Sequence, residues 1–258
     1  MIVTPSLLLD SLHGSARSVC IRRLRGRFVA EPPRWSDAAR LAPVAPIIDT
    51  YTLQDGELGY TGTADAQINA AGPNLNYGLT NPINVRWYVS GATQRCNFLL
   101  RFALPSFTTP PATILSATLT LYPSLVGIFG TQPVNYVGIC TLKRGFIQGT
   151  KDGQTQTVGE CSWIAARWLS ENWTTPGAES ETYDRSAPFA SLPTPTQDVP
   201  ISVDCTATFI AVYDGSLPWL GFVLRYPALT RSYVRFASRE DPTQSKRPKL
   251  VIVTSTPG

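Results

Sequence analysis

Apolar residues recur at every second position in eight separate stretches of this 258-residue chain, and turn-forming residues separate the stretches. In 97–104, Phe98, Leu100, Phe102 and Leu104 fall on one face, opposite Asn97, Leu99, Arg101 and Ala103. In 117–122, Ala117, Leu119 and Leu121 oppose Thr118, Thr120 and Tyr122. The same alternation runs through 84–89, 137–142, 199–203, 220–225, 233–236 and 249–254. Successive side chains change face in a strand and not in a helix, so this period selects strands. The chain holds 22 Pro and 19 Gly, which suits many short strands joined by tight turns. The expected fold class is all-β, an antiparallel sandwich or barrel. Two short helices are expected beside the strands, over 164–169 and 206–213.

Residues 1–46 break this pattern. Pro5, Pro32, Pro33, Pro43 and Pro46 interrupt them, and their apolar residues keep no period for long. A short helix is expected near 35–41, capped by Ser36 or Asp37. Arg17, Arg22, Arg23, Arg25, Arg27, Arg34 and Arg40 stand against Asp10, Glu31 and Asp37, a surplus that equals the net charge of +4 of the whole chain. The remainder is neutral. The expected organisation is an extended basic N-terminal arm over 1–46 and one β-domain over 47–258. The arm's arginines are candidate assembly contacts that would pair with acidic patches on neighbouring subunits. A neutral body argues against a broad nucleic-acid-binding face, so no specific nucleic acid is an expected partner. No apolar run approaches the roughly 20 residues of a membrane helix, and the N-terminus lacks the basic start of a secretory signal.

Several function classes drop out on residue counts. His13 is the only histidine, so neither a His-based triad nor a multi-His metal site can be built from this chain alone. The cysteines at 20, 96, 140, 161 and 205 show no CxxC pair and read as reduced, buried thiols. A glycosidase needs two carboxylates about 5–10 Å apart. Asp65, Asp204 and Glu240 are conceivable members, but no spacing selects a pair, and Asp65 and Asp204 read as turn or loop hydrogen-bonders. Calcium is the one cofactor left to consider, with Asp65, Asn74 and Asn76 as ligands, although no EF-hand spacing supports it. The expected reading is no enzyme and no cofactor, a structural calcium ion aside.

Three further groups stand out. Trp87 and Tyr88 are adjacent in a strand, so only one can enter the sandwich and the other faces a partner or a sugar. The apolar stretch Leu125–Gly130, with Leu125, Val126, Ile128 and Phe129, reads as a loop that a neighbouring subunit covers. Arg239, Glu240 and Arg247 read as a structural ion pair or turn lock, because one guanidinium can bridge carbonyls and a carboxylate together.

The order of motifs carries a resemblance. Thr63–Asn69 around Asp65, Asn76-Tyr77-Gly78, Leu99-Leu100-Arg101-Phe102 and Ala112–Tyr122 resemble the first half of the DNRLRE domain. Cys161-Ser162-Trp163, Asn172–Gly177, Val203–Thr206, Gly221–Leu224, Ser238-Arg239-Glu240 and Arg247–Leu250 resemble its second half. The resemblance spans about 59 to 254 and implies a jelly-roll-like β-sandwich. It also implies one of two roles, since such domains occur as carbohydrate-binding modules and as phage virion proteins. The lack of a signal peptide and of an attached catalytic domain, together with the basic arm, favours the second. The expected function is a non-enzymatic structural virion protein of a tailed phage, a capsid decoration (cement) or tail-associated protein assembled in the host cytoplasm. Its expected partners are other virion subunits and its own copies, in a closed ring such as a trimer. The alternative is a carbohydrate-binding module or adhesin for host or environmental polysaccharide.

Overall fold

The computed structural model describes residues 45–90, 92–105, 113–128, 137–226 and 232–257, together with the backbone of 20–24 and 27–31. Its chain divides into two compact units, Met1–Ala45 and Pro46–Gly258. In the first, β1 (Cys20–Leu24) pairs antiparallel with β2 (Arg27–Glu31). This ladder replaces the irregular path expected for that stretch. Ile21, Phe28 and Val29 favour extended backbone, in runs too short for a period to stand out. Arg22, Arg23 and Arg27 lie on the ladder; Arg17, Arg25, Arg34, Arg40 and the helix expected near 35–41 lie outside the described residues.

The second unit opens with β3 (Ile47–Leu53), β4 (Thr63–Asn69), β5 (Leu75–Asn76), β6 (Ile83–Ser90) and β7 (Ala92–Phe102). It continues through β8 (Thr113–Leu121), β9 (Pro123–Ile128), β10 (Val137–Thr141), β11 (Gln154–Thr155), β12 (Ala165–Arg167) and β13 (Glu171–Asn172). It ends with β14 (Ala190–Leu192), β15 (Ile201–Asp204), α1 (Thr206–Tyr213), β16 (Phe222–Arg225), β17 (Ser232–Phe236) and β18 (Lys249–Thr256). An eight-stranded sheet runs β14-β10-β16-β7-β6-β17-β9, and β4 pairs with the C-terminal half of β7. A four-stranded sheet runs β15-β8-β18-β3. All these pairings are antiparallel, and the fold is an all-β sandwich.

The alternating residues explain the main core. Phe98, Leu100 and Phe102 from one sheet meet Ala117, Leu119 and Leu121 from the other, with Phe222, Leu224, Phe236, Leu250 and Ile252 completing the layer. Each buried Leu or Phe side chain contributes about 1.5–3 kcal/mol of transfer free energy.

The other face of β7 departs from expectation. Leu99 is fully buried, not solvated. It joins Ala66, Ile68, Cys140 and Val223 in a second core, covered by Phe146, Trp163, Ala166 and Trp173 from the long connection between β10 and β14. The sheet is therefore sandwiched twice. Two local expectations are also corrected. The stretch 164–169 is not helical but enters the β12–β13 hairpin, because burying Ala165 and Ala166 against the second core outweighs their helix preference. The stretch expected as a loop from Leu125 is strand β9, held at the sheet edge by β17. The helix over 206–213 is present as α1.

Gly177 shows how tightly the covering layer sits. Its φ is +87°, and an added Cβ would lie 2.4 Å from the Trp163 ring. Gly177→Ala is expected to destabilise by about 1–3 kcal/mol through strain and overlap together. A urea titration checks this; an unchanged midpoint contradicts it.

Candidate functional site

The polar residues singled out in the sequence converge on the end of β4. Asp55, just past β3, accepts a bond from the Thr63 backbone N–H at 2.9 Å and pairs with Arg239 Nε at 3.1 Å. Asp65 points from the middle of β4 and is fully buried. Its Oδ2 accepts the Arg239 backbone N–H at 2.7 Å, while its backbone N–H donates to Gln148 Oε1 at 3.1 Å. Gln148 Nε2 donates to Glu240 Oε1 at 2.8 Å and to the Gly78 carbonyl. Arg239 Nη1 donates to the Thr63 carbonyl at 2.6 Å, and its Nε lies 3.5 Å from Glu240 Oε1. Arg247 bonds two backbone carbonyls, Asp241 at 2.8 Å and Asp55 at 3.0 Å.

Thus Arg239 and Glu240 form the ion pair read from the sequence, with Asp55 as a second acid, and Arg247 locks turns through carbonyls. The sequence did not select Asp55 or Gln148. Apart from the nearby Thr63 N–H on Asp55, their partners lie 70 to 192 positions away, so no local spacing could have found them.

Two oxygens in this node lack hydrogen-bond partners of the usual kind, Asp65 Oδ1 and Glu240 Oε2. Burial, followed by the charge of Glu240, holds the Asp65 carboxyl well above the usual carboxylate range. The neighbouring Glu240 carboxylate thus works with burial to favour a proton on Asp65. Of the three carboxylates considered for an acid pair, the fold therefore joins Asp65 and Glu240. Asp204 is exposed and accepts the Thr206 hydroxyl and, at 2.8 Å, the Thr206 backbone N–H, which together hold its carboxyl below the usual range.

The side chains considered for calcium are placed as follows. Asn76 Oδ1 accepts the Gly78 and Lys151 backbone N–H groups at 3.2 and 3.1 Å, and Asn74 is exposed. Among the described residues no group of three or more His, Cys, Asp or Glu is placed to hold a metal ion.

A second charged cluster went unread in the sequence. Glu179 receives Arg95 at 2.7 Å, Arg225 at 2.6 Å and Arg185 at 3.7 Å, and Asn97 donates to it at 3.0 Å. Asp184, fully buried, accepts Arg144 Nε and the backbone N–H groups of Thr174, Thr175 and Ser180. These acids tie the covering connection together and to the sheet.

The candidate contact residues divide. Trp87 is half-buried against the main core, and the Arg95 guanidinium lies 3.4 Å from its ring centroid. Its face is therefore occupied. Trp163 and Trp173 are buried, and Trp219 packs between Phe209 and Phe222. Leu125 and Val126 are half-buried in edge strand β9. The side chains of Tyr88 and Ile128, and all of Phe129, lie outside the described residues.

Cys96, Cys140, Cys161 and Cys205 are buried and unpaired, and burial raises each thiol above its ordinary value. Among the described residues no helix is long and apolar enough to cross a membrane. Compared with models of known protein families the chain matches none, and a search of curated proteins finds no significant match.

Proposed function

We propose that this chain is a structural, non-enzymatic protein of a tailed-phage particle, a capsid decoration or tail-associated subunit that stabilises the particle by adding interface. The observation that carries this reading is the division of the chain. A first compact unit, Met1–Ala45, holds the whole net charge, and a neutral sandwich, Pro46–Gly258, holds the two cores. A basic segment beside a neutral platform suits attachment to acidic protein surfaces repeated around a symmetric particle. Many weak contacts then release slowly. The body's polar residues support the same reading, because Asp184, Arg239 and Arg247 are engaged in holding loops together. Closed rotational symmetry, such as a trimer around a local three-fold, suits a decoration protein.

The carbohydrate-binding alternative needs flat aromatic faces open to a sugar ring. The packing of Trp87, Trp163, Trp173 and Trp219 favours a protein partner instead.

The test is mass spectrometry of gradient-purified particles from the source of the chain. The expected result is this chain at a fixed copy number relative to the major capsid subunit. A full-length variant with Arg22, Arg23, Arg25 and Arg27 changed to Ser is expected to fold, by circular dichroism, yet to be missing from particles. Particles that lack the native chain would remove this reading, and undiminished incorporation of the variant would remove the role given to the arginines.

A further inference from the structure

The outer side of the covering connection carries a cleft that none of the foregoing roles uses. Arg101 leaves the outer face of β7, and Lys143, Arg144 and Ile147 follow β10; together with Arg167 and Glu171 of the β12–β13 hairpin they line a space of ≈ 360 Å³. A neighbouring cleft of ≈ 560 Å³ shares Arg144, Arg167 and Glu171 with it. A third, along the hairpin turn, adds Trp168 and Leu169. The three form one open groove.

Its charge is unbalanced. Four cations stand against two carboxylates, Glu171 at the surface and Asp184 buried beneath Arg144. Their hydrogen-bonding capacity is also unequal. Arg144 is used up on Asp184, Glu171 and Thr174. Lys143 is held by the carbonyls of Glu181 and Thr182. Arg167 gives Nε and Nη2 to Glu171, leaving Nη1 open. Arg101 has no carboxylate partner among the described residues, and its guanidinium sits 5.6 Å from the Phe146 ring centroid. Arg101 and the Nη1 of Arg167 are therefore the donors still able to take an acceptor from outside the groove.

The most exposed apolar side chains of the groove are aliphatic. Ile147 is 49% exposed, and Leu169, at the tip of the hairpin turn, is 70% exposed. Leu169 also has φ +63°, a conformation that a leucine adopts only under strain. Exposed, strained leucine has no folding advantage over glycine at that position, so the residue points to use.

We propose that this groove docks an acidic, aliphatic segment of a partner protein, with carboxylates on Arg101 and Arg167 and aliphatic side chains against Ile147 and Leu169. A sugar or a nucleotide base stacks on flat aromatic faces, but Phe146 is buried and Trp168 half-buried, whereas Ile147 and Leu169 are exposed. Arginine beside exposed aliphatics is the composition of a protein interface. The groove stands independently of the particle reading and survives its failure.

The experiment measures fluorescence anisotropy of a labelled nonapeptide alternating Asp and Leu, titrated with the full-length protein. A nonapeptide alternating Asp and Ser, polygalacturonate and oligodeoxythymidine serve as comparison probes. The Asp/Leu peptide is expected to saturate, and more tightly than the other three. Arg101→Ala is expected to weaken it at least tenfold. Leu169→Gly is expected to weaken it while raising the Tm, since glycine relieves the strain. A merely structural role for Leu169 cannot produce that combination. The proposal is overturned by no saturation, by tighter binding of any comparison probe, or by unchanged affinity in both variants.

Discussion

Replacing Glu179 by alanine is expected to destabilise the protein by about 3–5 kcal/mol, the loss seen when one partner of a buried ion pair is removed. One carboxylate with 10% of its side chain exposed faces Arg95, Arg185 and Arg225, whose side chains are 18%, 4% and 7% exposed. Without it, three guanidinium groups confront one another out of water. Glu181 offers little replacement, because it is 58% exposed and reaches only Arg185. The strain is already visible in the intact protein. Burial first, and then the neighbouring Arg225 and Arg185, lower the pKa of Arg95, and Glu179 acts against them. The Nε atoms of all three arginines are buried without a partner, although Arg185 also donates to Glu181 Oε1 and the Ser186 carbonyl.

Glu179→Gln keeps the shape and an oxygen that accepts from Asn97 but loses the charge, and is expected to fall between wild type and alanine. For a domain of this size the alanine loss corresponds to a Tm decrease on the order of 10 °C. Sulfate at tens of millimolar is expected to restore part of it by supplying an anion to the arginines. Urea titration of the three proteins decides the matter. An alanine variant within 1 kcal/mol of wild type means the cluster is not a keystone.

The contrast between this cluster and the main core shows what a sequence can reveal. Phe98, Leu100 and Phe102 are legible because burial on one face repeats every two residues, and the eye needs only local order. The same period says nothing of what covers Leu99. That face is closed by Phe146, Trp163 and Trp173, whose chain follows no period and is held by Asp184 and Glu179. Glu179 and Asp184 sit among Ser, Thr and Glu, where an acid usually means a solvated loop. Only the fold brings Arg95 and Arg225 to Glu179 from strands far away in the chain. The polar node was half legible. Arg239, Glu240 and Arg247 stand close together in the sequence, whereas Asp55 and Asp65 come from one distant stretch and Gln148 from another. The groove left no sequence signal, because a leucine in a left-handed turn looks like any other leucine.

Asp65→Asn is expected to change how stability depends on pH more than any other single substitution in the node. In the folded protein burial and the nearby Glu240 keep Asp65 protonated well above the ordinary value of 3.8. The unfolded chain releases that proton near 3.8. Between the two values the folded state holds one more proton, so its stability is greatest below 3.8, falls as pH rises through the raised folded value, and levels off beyond it. Asparagine carries an amide N–H where the proton sits and cannot ionise. It can donate to Glu240 Oε2 while its oxygen still accepts the Arg239 backbone N–H. The variant is therefore expected to equal wild type in mild acid and to exceed it by about 1–3 kcal/mol in mild alkali, the scale of one unmatched buried polar group. Asp65→Ala leaves the Arg239 backbone N–H without its acceptor and opens a cavity beside Glu240, and is expected to be weaker at every pH. The other charges around the pair, Asp55, Arg239 and Arg247, are common to all three proteins and cancel in the difference. Thermal melts at matched pH values give that difference directly. If the Asn variant runs parallel to wild type, no proton is shared between Asp65 and Glu240. If it is instead weaker in alkali, and a chelator lowers the wild-type Tm, a cation holds the two carboxylates in place of the proton, and the rise expected for asparagine is reversed.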